Sequence, residues 1–519
     1  IRQKDGLSGY PKRKESEHDV FEAGHSSTSI SAAIGMAKAR DIDNENYNIL
    51  PIIGDGAMTS GMAYESLNYL GHSNDNVTVI FNDNEMSIDN NVGALSKCLS
   101  TIRASKTYLG LKKDLKKTLQ KIPKVGNSFQ DSLGKIKKSV KNFLVPEMIF
   151  EDLGFKYLGP VDGHNISELN NILRKSKKFE EPVLVHVKTV KGKGYMPAQK
   201  FPRDYHGVGK FELKEGKKSK NTIKYSHIFG NTLLNLAKKN KNIFAITAAM
   251  PKGTGLLNFK EKLNNQYIDV GIAEQNATTL AAGLAINNKK PFVAIYSTFL
   301  QRAYDQILHD VCLQNLPVVF CLDRAGIVGK DGPTHHGVFD LSYLISIPNL
   351  MIMAPKDGYE LKRMIEFSSN YKKGPIAIRY PRGKAIEINK SETDILDFET
   401  LKDGNKIAIL AVGKMVETAL KVSKEIDEYD IKVINLRVVK PINFEKLKNS
   451  LDNIDTILTI EDNVKIGAVG SYINQNLGNK YKIFNLGYND KFIKHGNTKE
   501  LIKENSLDKD SILEFIKNI

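Results

Sequence analysis

Short runs of Val, Ile and Leu recur along the chain between longer stretches with helical spacing. Eleven such runs read as strands: residues 49–53, 77–81, 183–187, 243–247, 292–296, 318–322, 376–379, 407–412, 432–436, 456–460 and 482–486. Many are near-continuous apolar runs, as expected of parallel strands buried on both faces. The segments between them are long enough for crossover helices. The pattern predicts repeated α/β domains with mainly parallel sheets. Two polar breaks interrupt it. Residues 209–221 are lysine-rich and aperiodic, and read as a linker. Residues 387–405 follow Pro381-Arg382-Gly383 and lead into a fresh strand. They divide the chain into domains 1–220, 221–395 and 396–519, and 519 residues are too many for one hydrophobic core.

Composition narrows the class. Hydrophobic residues make up 41% and charged residues 26%, as in ordinary globular proteins. No apolar run is long enough to cross a bilayer, so no membrane role is expected. The chain opens Ile1-Arg2-Gln3-Lys4, without a methionine or an apolar leader, which suggests that an upstream segment is missing. Cys98, Cys312 and Cys321 show no CxxC spacing. That argues against a disulfide framework and fits a reducing cytoplasm. The net charge of +16 raises the question of nucleic acid. Much of the excess lies in a basic segment near residues 97–145, where lysines alternate with Leu and Ile at helical spacing. It reads as a solvated amphipathic helix, or more sharply as a mobile flap attracted to anionic substrates. No zinc-finger spacing or RNP-like aromatic motif accompanies it, so no nucleic-acid partner is expected.

Candidate chemistry begins at Ile52-Ile53-Gly54-Asp55-Gly56-Ala57, where a buried strand ends and a helix opens. Glycines there let the backbone approach a phosphate, and a helix start favours an anion. Gly-Asp-Gly alone also suits an ordinary turn. The next strand ends in Asn82-Asp83-Asn84-Glu85-Met86. If the two strands are parallel neighbours, Asp55 and Asn84 lie side by side at their carboxyl ends, where α/β proteins bind ligands. A carboxylate, an amide oxygen and the Met86 carbonyl are hard oxygen ligands suited to Mg²⁺. A third segment, Val270-Gly271-Ile272-Ala273-Glu274-Gln275-Asn276, enters an alanine-rich helix. Glu274 there, taken alone, reads as a favourable first-turn charge.

The Gly-Asp-Gly and Asn84 pairing resembles the thiamine-diphosphate signature. More specifically, the chain resembles the 1-deoxy-D-xylulose-5-phosphate synthase family of transketolase-like enzymes. The resemblance rests on residues 24–31, 82–88, 191–195, 296–306, 323–326, 331–337 and 379–383. It implies three transketolase-like α/β domains, a homodimer, and an active site between the first two domains of one subunit. It also implies the cofactors thiamine diphosphate and Mg²⁺. Asp55, Asn84 and Met86 would hold the metal. Gly24, His25, Ser26, Gly56, Ala57, Asn84, Tyr195 and Phe299 would contact the cofactor, and Glu274 would activate it. Tyr296, Arg302, Arg324, Asp331 and Arg382 would line the acceptor site, with guanidinium groups on the acceptor phosphate. His335 and His206 are candidates for proton transfer, and equally for structural roles.

The implied reaction takes pyruvate and D-glyceraldehyde 3-phosphate to 1-deoxy-D-xylulose 5-phosphate and CO₂. That product feeds non-mevalonate isoprenoid synthesis and thiamine biosynthesis. Two departures stand out. Family members carry roughly a hundred more residues upstream. Asn276 stands where the family usually has His, and an amide does not titrate near neutral pH. The alternatives are another thiamine enzyme, a transketolase or keto-acid decarboxylase, and a catalytically silent scaffold.

Overall fold

The computed structural model describes residues 1–84, 147–207, 222–426 and 429–519. Met86, the basic segment near 97–145 and the whole 209–221 linker lie outside the described residues. The chain forms two compact units, one of Ser26–Lys218 and one of Ile1–His25 with Ser219–Ile519.

The Ser26–Lys218 unit holds a four-stranded sheet of β1 (Ile52–Gly54), β2 (Thr78–Asp83), β3 (Lys156–Asp162) and β4 (Val183–Lys188), in the order β1-β2-β4-β3. Every pairing in it is parallel. Residues 183–187 are wholly buried, as a Val/Leu-rich central strand requires. Helix α1 (Ser29–Ile42) buries Ile30, Ala33, Ile34 and Ala37, one stripe at helical spacing. It packs with α2 (Gly61–Ser73) through Leu67 and Leu70 into a core shared with Ile53, Val79, Phe81 and Leu184. The register sets Gly54 against Asn82, so both strands end at one level.

The other unit contains two sheets. The seven-stranded one comprises β5 (Ile243–Thr247), β6 (Tyr267–Asp269), β7 (Lys290–Tyr296), β8 (Val319–Ala325), β9 (Met351–Met353), β10 (Ile376–Pro381) and β14 (Val438–Lys440). Its order is β14-β9-β10-β8-β7-β5-β6, and of its pairings only that of β14 with β9 is antiparallel. The five-stranded sheet comprises β11 (Glu399–Lys402), β12 (Ile407–Ala411), β13 (Ile431–Asn435), β15 (Thr456–Val464) and β16 (Lys482–Tyr488). Its order is β11-β13-β12-β15-β16, antiparallel only at β11.

Every apolar run read as a strand contributes one, and the mainly parallel α/β expectation holds. The run at 49–53 is trimmed to β1, because Pro51 has no N–H to give the ladder. Its carbonyl still accepts from Ile80, and that of Ile49 from Thr78. Strands β3, β6, β9, β11 and β14 are additional. Gly159-Pro160 interrupts β3, and β6, β9 and β14 are three residues each.

A buried ionic cluster ties the two sheets of this unit. Arg437 is fully buried, with Nε 2.9 Å from Glu360 Oε1 and Nη2 against Glu399. Lys356 Nζ lies 2.6 Å from Glu399 Oε2, and Asn435 donates to Glu360 at 3.0 Å. Removing one partner of a buried pair strands the other charge, at about 3–5 kcal/mol. Arg437→Ala should therefore lower the thermal unfolding midpoint strongly. Lys421→Ala, which removes an exposed helix pair with Glu417, should leave it unchanged. Equal midpoints for both variants would show that the cluster contributes no net stability.

Candidate active site

In the Ser26–Lys218 unit, the chain leaves β1 at Asp55 and β2 at Asn84. The buried Asp55 carboxylate accepts the backbone N–H of Gly56 at 2.9 Å and of Asn84 at 3.2 Å. The Asp55 N–H donates to the Asn82 carbonyl at 3.1 Å. These bonds bring the two strand ends together, as their sequence spacing predicts. Ser27 Oγ donates to the Ala57 carbonyl at 2.7 Å, and bonds Ser26 Oγ at 3.3 Å. Burial lowers the Lys191 ammonium from its ordinary value, against the pull of Asp55. Behind the turn, His186 Nε2 meets Asp83 Oδ2 at 3.0 Å, and the Tyr157 hydroxyl meets His186 Nδ1 at 2.6 Å. Tyr195 is half-buried, edge-on to Tyr205. His206 is exposed, with Nδ1 2.7 Å from Lys191 Nζ.

Among the described residues no cluster of three or more His, Cys, Asp or Glu could hold a metal. The donors at this turn are one carboxylate and one side-chain amide. Mg²⁺ binds through such a sparse oxygen set, with water and phosphate completing its shell, so the residues present fit a metal–diphosphate group.

The other unit assembles a second group, where β6, β7, β8 and β10 end. Glu274 opens α3 (Glu274–Ile286) and is 4% exposed. Burial raises its carboxyl above the ordinary range, while its own backbone N–H and Arg302 act the other way. Tyr296 and Phe299 stack with ring centroids 5.5 Å apart. His25 and His335 meet Phe299 edge-on at 4.9 and 5.3 Å. His25 Nε2 lies 3.0 Å from Thr298 Oγ1 and 2.8 Å from the Thr334 carbonyl. Burial depresses its pKa, the Thr334 bond opposes this, and Arg302 adds to it. Gly24 packs so tightly on Thr334 that a Cβ would fall 2.2 Å from Oγ1.

His335 is fixed by Thr334 Oγ1 at Nδ1 (2.9 Å) and by the Tyr10 hydroxyl at Nε2 (3.1 Å), with the Tyr10 ring stacked on it. Burial pushes its pKa down to about 4; His25, Arg2 and Arg324 contribute, and Asp331 opposes. The Arg324 guanidinium carbon lies 3.4 Å from the Tyr296 ring centroid. Burial and the Arg382 charge lower Arg324 to about 9, and its buried Nη1 has no hydrogen-bond partner among the described residues. Asp331 accepts Arg382 Nη1 at 3.1 Å and Arg2 Nη1 at 2.9 Å. Two guanidinium groups thus pair with one carboxylate, whose charge also acts on Arg324, and this excess of positive charge suits a multiply charged anion.

Residues 1–189 match the family described as 1-deoxy-D-xylulose-5-phosphate synthase, residues 221–386 the pyrimidine-binding domain of transketolase, and residues 397–512 its C-terminal domain. The 1-deoxy-D-xylulose-5-phosphate synthase of Caldanaerobacter subterraneus subsp. tengcongensis is 50% identical over 99% of this chain and 84% of its own length. This chain belongs to the 1-deoxy-D-xylulose-5-phosphate synthase family. The Clostridium tetani synthase is 49% identical over 99% of this chain and 85% of its own. A solved split-gene transketolase, titled an inactive beta4 tetramer, aligns with TM-score 0.52 at 26% identity, covering 57% of this chain and 98% of its own. Transketolase from Campylobacter jejuni subsp. jejuni NCTC 11168 aligns with TM-score 0.51 at 18% identity over 96% and 83%, a likeness of fold alone.

Membership of the synthase family implies thiamine diphosphate. Thr298 and Thr334 lie inside the sequence stretches that carry the resemblance, but their part in holding His25 and His335 has no sequence signal. Arg2 and Tyr10 were also not foreseen, since periodicity gives no reason to associate residues 1–25 with residues 331–335.

A histidine held neutral in the native state binds fewer protons there than in the unfolded chain below about pH 6.5. Stability is therefore lost as pH falls from about 6.5 towards the folded value of about 4. Over that window, His335→Gln should lose less of its melting temperature than the parent. Identical slopes would show that His335 takes up its proton without cost in the native state.

Proposed function

We propose that this chain decarboxylates pyruvate with thiamine diphosphate and Mg²⁺, and joins the remaining two carbons to D-glyceraldehyde 3-phosphate. The products are 1-deoxy-D-xylulose 5-phosphate and CO₂; the carbon–carboxyl bond of pyruvate breaks and one new carbon–carbon bond forms to the aldehyde. When bound, thiamine diphosphate supplies the acidic thiazolium carbon and the electron sink that the loss of CO₂ requires.

The observation that carries the reading is the grouping of Glu274, Phe299, Arg324 and Arg382 in one unit. Desolvation makes the ionised form of Glu274 costly, so its carboxyl group is suited to hold a proton against a ring nitrogen. The partly exposed Phe299 ring offers a face for a pyrimidine. Arg324 and Arg382 are the natural holders of the acceptor phosphate, and the orphaned Arg324 Nη1 is a donor awaiting an oxygen. His335, neutral at pH 7, serves as a hydrogen-bond acceptor or relay rather than as a standing cation. Asp55, Asn84 and the Met86 carbonyl would hold Mg²⁺, with Gly56 and Ala57 at the diphosphate.

On this reading the protein is a homodimer of three α/β domains per chain, divided near 220 and 395, and works in the cytoplasm. The free, buried Cys312 and Cys321 suit a reducing compartment. Among the described residues no helix is long and apolar enough to cross a membrane.

The direct test supplies pyruvate, D-glyceraldehyde 3-phosphate, thiamine diphosphate and Mg²⁺, and identifies the products by mass. The five-carbon deoxyketose phosphate with one CO₂ per turn is expected. Two-carbon transfer from a ketose phosphate without pyruvate would assign a transketolase instead, and no turnover would favour a silent scaffold. Asp55→Ala should abolish Mg²⁺-dependent thiamine diphosphate binding in calorimetry, because the diphosphate loses its bridge to the protein. Unchanged affinity in that variant, with and without chelator, would reduce the motif to a turn.

A further inference from the structure

Strand β15 closes on three consecutive buried polar residues, Glu461-Asp462-Asn463. The Glu461 carboxylate accepts the N–H groups of Val469 and Gly470 at 3.1 and 2.9 Å, at the start of α4 (Val469–Leu477). Asn463 accepts the Leu341 N–H at 3.3 Å and donates to Ser342 Oγ at 2.9 Å. Asp462 reaches further, out of the five-stranded sheet to the turn that follows β8. Its Oδ1 accepts the Ile327 N–H at 3.4 Å and the Tyr488 hydroxyl, and its Oδ2 pairs with Lys414. A Cβ on Gly326 would fall 1.5 Å from Asp462 Oδ2, so the turn rests directly on this carboxylate. The cavity beside it measures about 10 Å³, room for no more than one water.

That turn carries Arg324, whose φ of +63° lies in the left-handed region, with Gly326 at +78°. For a residue with a side chain this conformation is strained and persists only where the surroundings impose it. Gly326 also exchanges backbone bonds of 2.6 and 2.9 Å with Gly337, which joins the turn to the loop of Asp331 and His335. A second arm leaves the Asp462 backbone. Its carbonyl accepts Arg379 Nη2 at 3.2 Å, Arg379 Nε meets both Asp340 oxygens at 3.1 and 3.0 Å, and Asp340 accepts Ser297 Oγ at 3.0 Å. Ser297 directly precedes Thr298 and Phe299. Burial works against ionisation of Asp462, yet Lys414, Tyr488 and Arg379 hold its carboxyl below the ordinary range.

We propose that Asp462, from the C-terminal sheet, is a positioning residue for the acceptor phosphate: it fixes the turn at residues 325–327 and so holds Arg324 in its strained backbone conformation. The proposal rests on the reading that Arg324 takes that phosphate. Asp462 itself touches no reacting atom.

The test compares D-glyceraldehyde 3-phosphate with unphosphorylated D-glyceraldehyde, using the full chain with thiamine diphosphate and Mg²⁺. Asp462→Asn keeps the shape but loses the charge that pairs with Lys414. It should raise the KM for the phosphorylated acceptor roughly ten-fold. The pyruvate KM, the thiamine diphosphate Kd and kcat/KM for D-glyceraldehyde should stay within about two-fold of the parent. Tyr488→Phe removes one hydrogen bond to the same carboxylate and should shift the ratio of the two acceptors less, in the same direction. It decides the matter if Asp462→Asn does not fold. A purely structural role would lower both acceptors alike, and that result, or no change in either variant, overturns the assignment. Arg324→Ala, run in parallel, separates the two claims. If it selectively weakens the phosphorylated acceptor while the Asp462 and Tyr488 variants do not, only the positioning role falls. If it leaves that KM unchanged, the phosphate reading fails and the positioning role with it.

Discussion

Desolvation of ionisable side chains at the carboxyl ends of buried parallel strands is the constraint on which this site depends. Strands such as β4 and β7 are buried along nearly their whole length and carry mostly apolar residues. Polar chemistry is therefore displaced to their ends, where side chains remain partly screened from water. Burial there raises Glu274 and moves Asp323 up to about 8, and it lowers Arg324 to about 9 and His335 to about 4. Each shift has the sign that low polarity imposes on a charged form. Such groups exchange protons or accept a ligand's charge near neutral pH more readily than solvated ones.

The two sheets of the larger unit divide the labour. The seven-stranded sheet presents Glu274, Phe299, Arg324 and Arg382. The five-stranded sheet stands behind them, and its side chains cross to the first sheet at two places. The cluster at Arg437, Glu360 and Glu399 is a packing device, remote from the aromatic and guanidinium groups in its bonding. The network at Asp462, Arg379 and Asp340 runs instead to Ser297 and Gly326, each two residues from Phe299 and Arg324 respectively. Similar chemistry thus serves stability in one place and geometry in the other.

Much of the architecture was legible in the sequence, because a strand buried on both faces must be written as an apolar run. The approach of Asp55 to Asn84 followed from two such runs lying side by side. The short and edge strands escaped, since three residues carry no period and β3 is broken by Gly159-Pro160. Arg324 and Glu274 were visible as motif residues, but their shifted pKa values were not, because burial is a property of the fold. Arg2 and Tyr10 escaped for a different reason: no local pattern records that an irregular N-terminal stretch packs on His335 more than three hundred residues later. Asn276 lies in the first turn of α3 beside Glu274, and among the described residues no contact distinguishes its amide from a histidine.

On the proposed function, Glu274 is the carboxyl group that activates the cofactor. The most direct measurement is proton–deuterium exchange at the thiazolium carbon of bound thiamine diphosphate, comparing the parent with Glu274→Gln. The amide keeps the shape of the side chain and cannot take or give the proton, whereas the metal and diphosphate contacts are untouched. The variant should bind thiamine diphosphate as before while exchange slows by orders of magnitude. Exchange as fast as in the parent, at equal occupancy, would contradict it and leave Glu274 as a buried charge at the start of a helix.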